Sequence, residues 1–424
     1  YPGLVRSLFV VVLINWWPIW TVAFVSLLAS VAFAAAGDAT MIKKGKMRLF
    51  VVPMAVMVIG IFLMLINFSW TSIKSKLPVE VAPSQRVSWK IALDSLKSRP
   101  FGFGAENFAV AYDKLKPSSI ANSVFYQIRF SDATSETANL VIEQGVLMTL
   151  AFLLLLWFYA RGFVSRIKGA FYGDGEAGAV WAASLGLIIA AFLYPLNMTL
   201  TVILFMLLAL GVLSSGRSEE DEVTVNLESE AKYSFIGSLA FIIGLVVVLV
   251  AGYFTVNNYM ANIYLNKAIA SAADRVKSIE YFVDSVNSNG DDSRTLRLLS
   301  QEVLVQLADD LKSGPKKDES REAYNARIQN QVASAVNIAL RATNTNPADS
   351  QNWSNRGLVY QNLITLAGGA DQAAINMFNE SLAHNPADPN AYLRIGNIYL
   401  TLADNLQRAI SASRAGNITT ARQQ

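Results

Sequence analysis

The chain has no cysteine and a single histidine, His384. The first absence excludes disulfides, thiolate nucleophiles and cysteine metal sites, and the second leaves too little imidazole for a metal cluster. Charge is also scarce. Only 16% of the 424 residues are charged, and a formal net charge of +3 is too small to suggest a nucleic-acid partner. What fills the space is apolar: 53% of residues are hydrophobic and the mean hydropathy is +0.34, the composition of a chain held largely in lipid. The distribution is uneven, because long apolar runs occupy residues up to about Asn258 and an ordinary polar composition follows to Gln424. This predicts an all-α protein in two parts, a polytopic transmembrane helix bundle over 1–258 and a soluble helical region over 259–424. The sequence starts at Tyr1 with no methionine and no signal-peptide layout, and reads as the C-terminal part of a longer protein.

A helix needs about 20 apolar residues to cross a hydrocarbon core of about 30 Å. Six stretches meet this or come near it: Ile19 to Ala36, Leu49 to Phe68, Asn139 to Tyr159, Ala179 to Leu196, Leu200 to Ser214 and Phe235 to Val256. The fourth and fifth are joined by "YPLNMT", where Pro195 and Asn197 favour a tight hairpin over one long helix. Ahead of the first lies "LFVVVLINWWP", the end of another helix or a re-entrant piece, with Trp16 and Trp17 suited to a membrane interface. Lys43, Lys44, Lys46 and Arg48 follow the first run, and Arg161, Arg166 and Lys168 follow the third. The positive-inside rule assigns both groups to the cytoplasm. The loop over 69–138 is then outside, the acidic "RSEEDEVTVNLESEAK" is inside, and everything after Val256 is outside.

The outside loop carries nine basic and six acidic residues, a balance that favours an anionic ligand. Within it, "PSQRVSWKIALDSLKSRP" has Val87, Ile91, Leu93 and Leu96 at near-helical spacing, Ser84 as N-cap and Pro100 as terminator. The following "FGFG" invites a phosphate-loop reading. A dinucleotide fingerprint, however, wants a strand before the first glycine and a third glycine where Asn107 stands. Gly102 and Gly104 read instead as a helix C-terminal turn into a second helix from Ala105 to about Leu115.

"SQRVSWKIALDSLKSRPFGFGAENFAVAYDKLKP" resembles the extracytoplasmic segment of the O-antigen ligase and Wzy-type polymerase family: an Arg and a Trp leading an amphipathic helix, a Pro-x-Gly-x-Gly turn, an aromatic helix and a Tyr. "SDATSETANLVIEQGVLMTLAFLLLL" is similar to the family's return to the membrane, with Glu143 and Gly145 in its Glu-x-Gly. The resemblance implies a multi-pass protein of the bacterial cytoplasmic membrane that transfers glycan from an undecaprenyl-pyrophosphate carrier to an acceptor outside, with no metal and no cofactor. Arg86 matches the family arginine, in a spacing one residue shorter than in some members, and Arg6 corresponds to a second arginine before an apolar helix. Arg86 and Glu136 are the candidate catalytic residues, as charge stabiliser and base, and Arg6, Arg129 and Lys90 the candidate substrate-binding cations. Lys114 and Lys116, and Arg129 with them, read as a solvated face before a site. One departure is plain: Thr134 and Ser135 stand where the family shows a His-Asn pair, so the base is not obvious.

The C-terminal region carries a repeat. "NPADSQNWSNRGLVYQNL" and "NPADPNAYLRIGNIYLTL" place Pro347 over Pro386, Trp353 over Tyr392, Gly357 over Gly396 and Tyr360 over Tyr399. This is the tetratricopeptide (TPR) pattern with a lengthened loop at "TLAGG", and it predicts a TPR-like solenoid outside the membrane that takes an acceptor protein or glycan in its groove. A further helix pair is expected over Asn262 to about Ala308, a loop at "SGPKKDES", and an inter-helix place for His384. The competing reading is a non-catalytic membrane scaffold that displays the repeat domain.

Overall fold

The computed structural model of the chain describes residues 2–37, 48–66, 81–120, 122–168, 175–213 and 231–423. Among these, every regular element is helical: fifteen α-helices and one short 3-10 turn, with no strand. Lys43, Lys44 and Lys46 of the first basic loop, Lys74, Lys76 and Glu80 of the outside loop and most of the acidic segment lie outside the described residues. Among the described residues, three helices are long and apolar enough to cross a membrane, Trp17–Ala35, Glu136–Ser165 and Ser234–Ala270, and three more are apolar but shorter, Pro53–Leu65, Ala177–Leu193 and Met198–Leu213. Each of the six expected apolar runs is therefore helical over most of its described residues.

The chain forms two compact units, one of residues 1–116 with 128–222, the other of 117–127 with 223–424. The first holds α1 (Pro2–Ile14), α2 (Trp17–Gly37), α3 (Arg48–Leu65), α4 (Gln85–Ser98), α5 (Phe108–Leu115), α6 (Glu136–Lys168), α7 (Gly175–Leu193) and α8 (Met198–Leu213). "LFVVVLINWWP" resolves as the end of α1 and a break at Asn15 and Trp16 before α2. Small residues let the apolar helices approach, as helix pairs in lipid require. Gly178 and Gly186 of α7 face Phe33 and Ser26 of α2, and a Cβ on Gly178 would lie 2.9 Å from Phe33 Cβ. Gly60 of α3 likewise leaves room for Trp20, which is fully buried and donates through Nε1 to Asn15 Oδ1 at 2.8 Å. Trp181 sits between Gly162 of α6 and Gly211 of α8, and Tyr159 Oη donates to its carbonyl at 2.7 Å. The expected hairpin joins α7 to α8, with the Asn197 side chain accepting from Leu200 N at 2.9 Å.

The second unit holds α9 (Ala231–Ala270), α10 (Arg275–Ser288), α11 (Ser293–Ser313), α12 (Arg321–Thr345), α13 (Ser350–Asn362), α14 (Ala370–His384) and α15 (Pro389–Gln423). The expected division at 258 and the start of the helix pair expected from Asn262 both fall inside α9, a single helix of 40 residues. The sequence from Val256 to Ala270 holds no proline or glycine, so nothing local ends the helix when its surroundings turn polar. Asp274, Asp292, Ser320 and Asp349 cap the helices that follow, each side chain accepting a backbone N–H of the first turn. The expected loop at "SGPKKDES" begins where α11 closes on Gly314 at φ 73°, with Pro315 directly after it.

Consecutive helices pack as antiparallel neighbours around a core of Leu265, Phe282, Leu296, Leu299, Val303 and Val359. A polar bridge ties α11 to α13: Arg297 Nη1 donates to Asp349 Oδ2 at 3.0 Å and to Asn352 Oδ1 at 2.6 Å. In the first copy of the repeat, Gly357 lies against the Phe378 ring of α14, where a Cβ would come within 3.0 Å. In the second copy, a Cβ on Gly396 would meet nothing within 4 Å.

Candidate functional site

From Val81 the segment expected to lie outside folds as its caps dictate. Ser84 Oγ accepts from Val87 N at 3.3 Å and α4 begins. Its buried face differs from expectation: Ser88, Ile91, Ala92 and Ser95 are buried, whereas Leu93 is 58% exposed and Trp89 38% exposed. The reason is steric and polar together, since small side chains let α4 lie close to α6 and the serines then bond to it. Ser95 Oγ donates to Ile142 O at 3.3 Å, and Ser88 Oγ accepts from Thr134 N at 3.0 Å and pairs with Thr134 Oγ1 at 2.9 Å. Thr134 Oγ1 also donates to Pro83 O.

The outward face of α4 carries Arg86, Trp89, Lys90, Leu93 and Lys97, positions three and four apart that share one side of a helix. All five are exposed. Lys90 Nζ binds Asp94 Oδ2 at 2.9 Å, and this hydrogen bond holds the Asp94 carboxyl below its ordinary range. Lys97 lies 3.7 Å from the other oxygen of Asp94. Three cations set against one acid, flanked by an indole and an isobutyl group, present charge and apolar surface together. Such a face fits a ligand with a phosphate end and a hydrocarbon body.

Two stretches some forty residues apart, each carrying half of the family resemblance, meet here. The turn after α4 puts Gly102 at φ 83° and Gly104 at φ 96°. Phe103 N donates to Ile142 O at 3.0 Å, Gly104 N to Glu143 O at 2.8 Å and Val146 N to Pro100 O at 2.7 Å. On the other side α6 breaks at Gly145, with φ 71° and ψ −160°, a backbone essentially closed to side chains. Neither Gly102 nor Gly145 has room for a Cβ, because each faces backbone of the other stretch. Glu143 then accepts from Phe108 N at the start of α5 at 3.1 Å. That helix begins at Phe108, three residues later than expected, because Glu106 takes φ 61° to complete the turn.

The remaining candidates divide. Arg129 is drawn inward, its Nε 2.8 Å from Asp113 Oδ2, with Lys116 Nζ 4.0 Å from Asp113 Oδ1. Lys116 is therefore not on a solvated face: its side chain is 6% exposed. Lys114 is exposed as expected. Beside this cluster Tyr112 is fully buried, and burial, with the Asp113 charge adding, pushes its hydroxyl up to about 12. Glu136 opens α6 and fastens the α7–α8 hairpin, its Oε2 accepting from Leu196 N at 3.1 Å while its own N donates to Tyr194 O at 3.2 Å. The Ser88–Thr134 bonds bring the segment bearing Arg86 beside the start of α6 bearing Glu136. Arg6 is exposed on α1. Trp89, Leu93 and Lys97 were legible as the far side of the serine stripe Ser84, Ser88, Ser95, a signal that apolar periodicity alone hides. No protein-family model matches the chain, and none of the curated proteins matches it.

Proposed function

We propose that this is a multi-pass protein of the bacterial cytoplasmic membrane, a glycan ligase or polymerase of the O-antigen ligase type. It moves glycan from an undecaprenyl-pyrophosphate carrier to an acceptor outside the membrane. The observation that carries the reading is the outward face of α4, where Arg86, Lys90 and Lys97 stand among Trp89 and Leu93. As the acceptor attacks the anomeric carbon, the bond to the carrier breaks and charge gathers on the leaving pyrophosphate. A guanidinium offers that anion two parallel donors, and among the described residues no carboxylate pairs with Arg86 as Asp94 does with Lys90. The helix pairs of the second unit form a TPR-like solenoid outside the membrane that takes the acceptor; the close seat of Gly357 on Phe378 supports that repeat reading.

One observation favours the non-catalytic scaffold. The hydroxyl at Thr134, where the family has its His-Asn pair, is bonded to Ser88 and Pro83, and the Glu136 carboxylate holds Leu196 N. The deciding experiment is transfer from an undecaprenyl-pyrophosphate donor by purified protein, wild type beside Arg86→Ala. Loss of about 10²-fold or more on mutation, the usual range for one transition-state charge donor, supports the enzyme. No transfer by wild type across a range of acceptors, with the donor still bound, gives the scaffold.

A further inference from the structure

The helix α9 does two things without a break. From Ser234 it is apolar and unpacked, and at Ala261, Leu265 and Ala268 it becomes buried core of the second unit. About 20 residues cross a hydrocarbon core, so a helix entering near Ser234 leaves it near Phe254. Tyr253, Phe254 and Tyr259 are exposed around that level, as aromatic side chains at a headgroup boundary are, and Asn257 and Asn258 follow at once. Nothing flexible intervenes.

The next helix returns toward the same level. Ser278 Oγ donates to Ala268 O at 3.0 Å, Ser285 Oγ to Ala261 O at 2.8 Å and Asn289 Nδ2 to Asn258 Oδ1 at 2.8 Å, an antiparallel register along the whole of α10. The turn between α10 and α11 is therefore level with Asn258. Arg341 of α12 joins it, its Nη2 donating to Gly290 O at 3.3 Å. Asp291, Arg294 and Arg341 are exposed there, and Asp292 is the cap of α11.

We infer that the α10–α11 turn over 287–292, with Arg294 and Arg341 beside it, is a contact surface for phospholipid head groups, held against the bilayer by the unbroken α9. This rests on the reading that α9 crosses the membrane. Asp291 and Asp292 balance the charge of Arg294 and Arg341, so the surface accepts zwitterionic head groups, and its position comes from the helix rather than from attraction to anionic lipid.

The chain lacks cysteine, so single-cysteine labels are unambiguous. Bimane is attached in turn to Asp291→Cys, Ala273→Cys and Val246→Cys in the full chain, reconstituted in phosphatidylcholine nanodiscs with nitroxide lipids labelled on the head group or on the acyl chain. Ala273 closes the other end of α10, about 18 Å further along the α9 axis, so head-group nitroxide is expected to quench Asp291→Cys at least about twofold more than Ala273→Cys. The difference is expected to persist in 0.5 M salt and to vanish when six Gly-Ser residues are inserted between Val256 and Asn257. Equal quenching at the two positions overturns the inference, as does a difference that appears only when phosphatidylglycerol is added. Val246→Cys is the separate check: failure of acyl-chain nitroxide to quench it removes the membrane reading and the inference with it.

Discussion

Replacing Gly102 by alanine tests the junction on which the outer face of the first unit is built. The new Cβ would overlap Glu143 O and lie 2.5 Å from Glu143 C and 2.7 Å from Gly145 N, all backbone atoms that no rotamer change can move. The turn must then shift or take another φ, and three hydrogen bonds go with it: Phe103 N to Ile142 O, Gly104 N to Glu143 O and Val146 N to Pro100 O. Each is worth about 0.5–1.5 kcal/mol net and the strained backbone about 1–3 kcal/mol, so the loss is roughly 3–7 kcal/mol. Against a total of about 5–15 kcal/mol that is a large fraction. The assay is an SDS titration of the detergent-solubilised chain followed by tryptophan fluorescence, which reports the first unit because seven of the eight tryptophans precede residue 258. Gly104→Ala is the graded control: its Cβ meets only the Asn107 side-chain amide at 3.0 Å, so about 1–3 kcal/mol of backbone strain is expected there. Gly252→Ala, in mid-helix with nothing within 4 Å, is expected not to lower the midpoint, since helix propensity there adds about 0.5–1 kcal/mol. A Gly102→Ala midpoint equal to that of Gly252→Ala would refute the reasoning.

Glu136→Gln keeps an oxygen for Leu196 N, so it is expected to preserve the unfolding midpoint, whereas Glu136→Ala costs about 1–3 kcal/mol by leaving that amide unpaired; abolition of transfer by the glutamine variant with the midpoint unchanged would support Glu136 as base, and unchanged transfer would assign it to the hairpin alone. Gly396→Ala is expected to stabilise the chain by about 0.5–1 kcal/mol through helix propensity, while Gly357→Ala, crowding the Phe378 ring at 3.0 Å, does not; differential scanning fluorimetry of the two side by side decides it. Glu319 is held at about 2, below its ordinary 4.5, first by the Arg327 hydrogen bond. A depressed carboxylate stabilises the fold above its ordinary value, and the contribution is lost as pH falls from about 4.5 toward 2. The gap in melting temperature between wild type and Glu319→Gln is therefore expected to be full at pH 6 and to close across that window; a gap independent of pH would refute the pairing.

The sequence alone determined what depends on neighbours in the chain. Apolar runs became helices because unbroken stretches of helix formers leave backbone groups no better partner than each other. Ser84 started α4, and Pro195 with Asn197 turned α7 into α8, because caps and turns act within four residues. The glycines of "FGFG" were legible as a turn for the same reason. Only tertiary structure decided which side chains remain available. Arg129 is engaged by Asp113 and Glu136 by Leu196 N, partners that lie 16 and 60 residues away. The seat of Gly102 against Gly145 is likewise a contact between two backbones, which no local pattern encodes. The passage of α9 from apolar to polar surroundings shows the converse. Helix is a local property and continued through Asn258, whereas burial is set by what packs alongside and began only at Ala261.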